Sequence, residues 1–97
     1  MLKLEVFHSG NPAWKTCKMA IGIAKEMKEL FKNKLDLKIY TLDSEEAKKY
    51  NFKTSTNMLL DGERLHIKTA LNKEELTRII KKKLSEIEES NLWLAYL

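Results

Sequence analysis

The chain is poor in the residues that staple, kink or loosen a backbone: one Cys, one Pro and three Gly among 97 residues. A lone Cys17 cannot close an internal disulfide, so the fold must be held by packing alone, which suits a reducing, cytoplasmic setting. So little Pro and Gly excludes collagen-like and low-complexity chains. No apolar run is long enough to read as a membrane span. The opening MLKLEVF begins to alternate at once, without the basic head and apolar stretch expected of a signal peptide. Arginine is scarce too, with only Arg64 and Arg78. The formal charge of +4 therefore comes from lysines, and they are interleaved with glutamates in KEMKELFKNK and NKEELTRIIKKKLSEIEE. That is the pattern of solvated helix faces. The densest cluster, Lys81 to Lys83, has no aromatic residues alternating with it, so nucleic acid is not the expected partner.

What is present is 43% hydrophobic and 33% charged, ordinary for one globular domain near the lower limit of unaided folding. Leu2, Leu4 and Val6 alternate with Lys3, Glu5 and Phe7 as a strand does. Asn11 followed by Pro12 reads as a helix start, Asn capping and Pro at the first helical position. The helix is expected to run to about Asn33. Its apolar stripe is Ala13, Trp14, Cys17, Ala20, Ile21, Ala24, Met27, Leu30 and Phe31. Leu35 to Leu42 is a second strand, parallel to the first if that helix is the crossover. Asp43 to Glu46 has capping-box spacing for a short helix. Met58-Leu59-Leu60, Asp61-Gly62 and Leu65-His66-Ile67 read as a hairpin on an Asp-Gly turn. Asn72 caps a last helix whose buried stripe is Leu76, Ile79, Ile80, Leu84 and Ile87.

The order β-α-β-α-β-β-α resembles the thioredoxin fold in its small glutaredoxin-like form. Phe7-His8-Ser9-Gly10, Met58 to Gly62 and Glu74-Glu75-Leu76 sit where the small archaeal and bacterial thioredoxins carry comparable residues. The resemblance covers residues 1–86 and implies a mixed four-stranded sheet flanked by helices. Residues 87–97 are left as an apolar helical extension. In that superfamily a C-P-x-C motif opens the first helix, where the helix end stabilises a thiolate. A gapless alignment puts Asn11, Pro12, Ala13 and Trp14 on the motif and removes both cysteines. An alignment with a small insertion reads Trp14-Lys15-Thr16-Cys17 as the motif, leaving Cys17 in the resolving position. The gapless version is preferred because Asn-Pro is the better helix start. In neither version is there a C-x-x-C. The family's cis-proline position falls on Thr56, where a trans peptide is expected because a non-proline cis bond costs about 3–4 kcal/mol.

The resemblance therefore marks Asn11, Pro12, Trp14 and Thr56 as vestigial active-site positions. His8, Trp14, Thr56 and Asn57 become a candidate binding groove. Cys17 is either a small core residue on the apolar stripe or, if exposed near the helix end, a reactive monothiol. His8, Cys17 and His66 have no metal-ligand spacing, so no metal or cofactor is expected. His66 is placed on the solvent face of the last strand with Arg64 and Lys68. The tail residues Leu92, Trp93, Leu94, Tyr96 and Leu97 either cover the small core or offer a docking or homodimer surface. The preferred function is a non-catalytic, redox-degenerate module that binds a protein or small molecule. The alternatives are a thiol-disulfide oxidoreductase or redox-homeostasis protein acting through Cys17, and a small dimer assembled by the tail.

Overall fold

The computed structural model describes residues 2–9 and 15–96, with side chains described to residue 87 of the last helix. Strand β1 (Leu2–His8) leads to helix α1 (Lys15–Phe31), a single 3-10 turn (Lys32–Lys34) and strand β2 (Leu35–Thr41). A short helix α2 (Glu45–Lys48), strands β3 (Thr56–Leu60) and β4 (Glu63–Arg64), a one-turn helix α3 (Ile67–Ala70) and the long α4 (Lys73–Tyr96) complete it. The sheet order is β2-β1-β3-β4. β1 runs parallel to β2, pairing Leu2 with Leu35 through His8 with Thr41. It runs antiparallel to β3, pairing Leu4 with Leu60 through His8 with Thr56. This is the mixed four-stranded α/β architecture of a thioredoxin-like fold.

Alternation along β1 divides the molecule into two layers. Leu2, Leu4 and Val6 pack with Leu35, Met58 and Leu60 against Ala20, Ala24 and Met27 of α1 and Leu76 and Ile80 of α4. On the opposite face Phe7 and Leu59 meet Ala47 of α2, with Tyr40, Leu42 and Phe52 around them. Phe7 stacks on Tyr40 at 5.1 Å between ring centroids and tilts against Phe52 at 4.9 Å. α1 presents small residues to the sheet, so its backbone lies close to β1 and β3. The same closeness brings Cys17 up to the start of β3.

Several expectations shift by a residue or an element. The start of the first helix, with Asn11, Pro12 and Trp14, lies outside the described residues. Leu30, placed on the buried stripe, is 55% exposed, while Met27, one turn earlier, takes the buried position. Ser44, not Asp43, caps α2: its Oγ accepts from Ala47 N at 3.3 Å and donates to the Thr41 carbonyl at 2.7 Å. Asp43 is instead engaged by the Thr41 hydroxyl, which moves the helix start one residue on. The hairpin forms on Asp61 and Gly62, both at positive φ, as an Asp-Gly turn requires. Its second strand stops at Arg64, however, and His66 is not a strand residue. The His66 Nδ1 accepts from Lys68 N at 3.2 Å and caps α3, so a side chain expected to point off a strand begins a helix turn. Asn72 does cap α4, its Oδ1 accepting from Glu75 N at 3.1 Å. That helix continues without a break to Tyr96.

Candidate functional site

Cys17 is the third residue of α1 and is only 3% exposed, yet its neighbours are polar. Its Sγ lies 2.9 Å from the Thr56 Oγ1, 3.5 Å from the Ser55 carbonyl oxygen and 3.7 Å from the Ser9 Oγ. Three separate segments meet at this sulfur: the end of β1, the first turn of α1 and the entry to β3. Burial is the largest influence on the thiol and pushes its pKa up. The Thr56 hydroxyl, then the Ser9 backbone and hydroxyl, pull it down, and together they leave it below the ordinary thiol value.

The entry to β3 is held in place from the other face of the sheet. Asn57, 2% exposed, accepts at Oδ1 from the Thr54 hydroxyl at 2.8 Å and donates from Nδ2 to the Thr54 carbonyl at 2.9 Å. Arg64 donates to the same Thr54 hydroxyl at 3.1 Å, with its guanidinium 5.9 Å from the centroid of the Phe52 ring. Residues 54–56 are thus clamped from below, and their upper edge borders an open groove of about 490 Å³. The groove runs from Thr16 across Ser55 and Thr56 to Arg64 and His66, over a floor that includes Met58, Leu65 and Ile67. Cys17 does not line it. The sulfur sits one side chain behind the wall, bonded to the two residues that form it.

Of the residues singled out in the sequence, the fold brings Cys17 and Thr56 together and sets His8 beside Thr56 as its cross-strand partner. Asn57 supports the groove from beneath rather than lining it. Among the described residues no peptide bond is cis, Thr56 included. No group of three or more His, Cys, Asp or Glu among the described residues could hold a metal ion. The side chains of Leu92, Trp93, Leu94 and Tyr96, and all of Leu97, lie outside the described residues. Ser9, Thr54 and Arg64 were missed by sequence reasoning. Ser9 is three residues short of Pro12 and looks like a loop residue. Thr54 and Arg64 are ordinary polar residues until the hairpin folds them together.

A thioredoxin-like α/β scaffold with a thiol at the start of its first helix, facing the entry to β3, is the protein class this geometry defines. A family model for TsoX, the HSGNPxU motif selenoprotein, matches residues 27–84, more than half of the chain, and the chain belongs to that family. The match corrects the family reading drawn from the sequence: the likeness to thioredoxins and glutaredoxins extends to the fold, while the family itself is a selenoprotein one. No curated protein matches the chain. The motif in the family's description can be read directly in residues 8 to 14, which lie ahead of the matched segment. His8-Ser9-Gly10-Asn11-Pro12 supplies its named letters, Ala13 its free position, and Trp14 stands where the motif has selenocysteine. Among the described residues no helix is long and apolar enough to cross a membrane.

Proposed function

We propose that the chain is a thiol-based redox protein in which Cys17 is the interior sulfur of a thiol–disulfide exchange site and the neighbouring groove seats the substrate. The observation that carries this reading is the 2.9 Å contact between the Cys17 Sγ and the Thr56 hydroxyl. The neutral thiol donates to the Ser55 carbonyl, while the Thr56 hydroxyl can donate to the sulfur once the proton is lost. A thiol that passes through a thiolate needs a donor that stabilises the anion. Thr56 occupies the position that the fold's redox members place beside their sulfurs, which supports the alignment that makes Cys17 the resolving thiol. Membership of a selenoprotein family points the same way, since a selenol is chiefly useful as a nucleophile in redox exchange. A cytoplasmic redox-homeostasis role fits a lone, unpaired thiol that must stay reduced.

The test is native-state reaction with a small disulfide, followed by intact mass. We expect one adduct at Cys17, formed more slowly on Thr56→Val, whose lost hydroxyl leaves less thiolate. Silence until the protein is denatured would return Cys17 to the core and remove the reading.

A second reading is favoured by the groove itself. With tryptophan at position 14 the scaffold is a non-catalytic module that holds a partner over Met58, Leu65 and Ile67, with Arg64 and His66 at the rim. In that case Cys17→Ser leaves partner retention unchanged, whereas Leu65→Asp abolishes it.

A further inference from the structure

We propose that the groove beside Thr56 is a binding site for a small organic carboxylate, with Arg64 taking the carboxylate and Met58, Leu65 and Ile67 taking an apolar chain. The proposal rests on the assignment of the groove to a ligand, which both readings above share, and it does not need Cys17 to react. Under the redox reading it makes the substrate a small disulfide that carries a carboxylate.

The cation is held in place by the fold itself. Arg64 Nη2 donates to the Thr54 hydroxyl at 3.1 Å, and the guanidinium lies 5.9 Å from the centroid of the Phe52 ring. Thr54 is held in turn, its hydroxyl donating to the Asn57 Oδ1 at 2.8 Å and its carbonyl accepting from the Asn57 Nδ2 at 2.9 Å. A guanidinium restrained in this way loses less freedom on binding an anion, and its planar fork matches a carboxylate. Among the described residues Arg64 has no carboxylate partner, whereas Lys3, Lys73 and Lys83 each have one. The glutamate beside it in the chain, Glu63, lies 3.8 Å from the Lys83 ammonium instead.

The groove has the composition that suits an anion with an apolar body. Its volume of about 490 Å³ is that of a small-molecule site, and none of its described lining residues is Asp or Glu. Arg64 is the one permanently charged side chain among them. It balances a single carboxylate, whereas a dianionic phosphate would stay half-neutralised. The His66 Nδ1 accepts from Lys68 N at 3.2 Å, so the neutral ring carries its proton on Nε2 as a further donor. Ile67, on the floor, is 38% exposed, which is apolar surface that a hydrocarbon chain removes from water.

The course of the groove connects this cation to the rest of the site. It runs from Arg64 and His66 to Ser55 and Thr56, the two residues that also bond the Cys17 sulfur. A carboxylate seated on Arg64 therefore lays its chain toward the wall in front of the thiol. Arg64 thus acts as the residue that selects the ligand by charge, while the floor selects it by length.

The test titrates suberate, a straight-chain dicarboxylate without sulfur, into the whole chain and follows amide shifts by nuclear magnetic resonance. We expect saturable shifts at residues 54–56 and 64–67, and none of that size from the matching diol. Arg64→Gln, which keeps a donor for the Thr54 hydroxyl, should weaken suberate binding roughly five- to tenfold while the rest of the spectrum stays unchanged. Ile67→Ala should weaken suberate but not acetate, which is too short to use the floor. Equal binding of suberate and the diol overturns the proposal, as does an unchanged affinity in Arg64→Gln. Inorganic phosphate moving the same amides as strongly as suberate also overturns it, since the apolar floor would then contribute nothing. These outcomes are separate from the adduct test above. A silent Cys17 removes the redox reading and leaves suberate binding intact, whereas an adduct without suberate binding keeps that reading and removes this site.

Discussion

The Sγ of Cys17 and the Oγ1 of Thr56 are 2.9 Å apart across the boundary between the first helix and the third strand. The two residues are 39 positions apart in sequence, and their contact gives a core-like cysteine a hydroxyl partner. Thr56→Val keeps the shape and removes the hydroxyl. We expect the Cys17 thiol to titrate at higher pH in this variant, read from ultraviolet thiolate absorbance, and Thr56→Ser to restore most of the original position. An unchanged titration in the valine variant would mean that the hydroxyl does not act on the sulfur.

The same lowered pKa makes stability depend on pH in a definite direction. The folded thiol loses its proton at lower pH than the unfolded one, so between the two pKa values the unfolded chain holds more protons. Stability from this group is therefore fully present above the unfolded value and is lost as pH falls through the folded value. Relative to Cys17→Ala, the native chain should gain in denaturant midpoint as pH is raised across the thiol range. Parallel pH curves for the two proteins would contradict this.

Asn57 tests whether the groove wall depends on support from the opposite face of the sheet. Asn57→Ala removes the two hydrogen bonds that tie this buried amide to the exposed Thr54, at roughly 0.5–1.5 kcal/mol each. Chemical denaturation should show that loss. Amide exchange at residues 54–56 should speed up more than exchange at β1, whose ladder is untouched. Uniform acceleration would mean that the segment is not a separate support.

Two glycines should respond in opposite ways. Gly62 sits at φ 87° in the hairpin turn, with nothing within 4 Å of an added Cβ, so Gly62→Ala costs roughly 1 kcal/mol by backbone strain alone. Gly22 is exposed in α1 and its Cβ would also meet nothing, so Gly22→Ala gains about 0.5–1 kcal/mol in helix propensity. Thermal melts of the two variants should move apart; both falling would show that the α1 site is more crowded than its geometry indicates.

Met27 belongs to the core of the larger layer. It is fully buried under α4, where Thr77 Oγ1 donates to its sulfur at 3.4 Å. Met27→Ala should cost about 2–5 kcal/mol as a cavity that the surrounding strands cannot fill by collapse. Urea unfolding measures it directly, and a loss within experimental error would place the core elsewhere.

Features set by neighbours in sequence were legible from sequence alone. The alternation of Leu2, Leu4 and Val6, the Asn72 cap, the Asp61-Gly62 turn and the Leu76–Ile80 stripe are local patterns with local causes. Local rules also failed by small margins where two caps compete: Ser44 displaced Asp43 because its hydroxyl reaches both the Thr41 carbonyl and the Ala47 N–H. His66 looked like a strand residue because Leu65 and Ile67 flank it, and only the end of the ladder at Arg64 frees it to start a turn. The surroundings of Cys17 belong to the tertiary structure alone. The apolar stripe of α1 predicts burial, but a stripe does not say which residues of β1 and β3 will face it. That is settled by strand order and register, which place Ser9 and Thr56 around the sulfur through contacts no local pattern encodes.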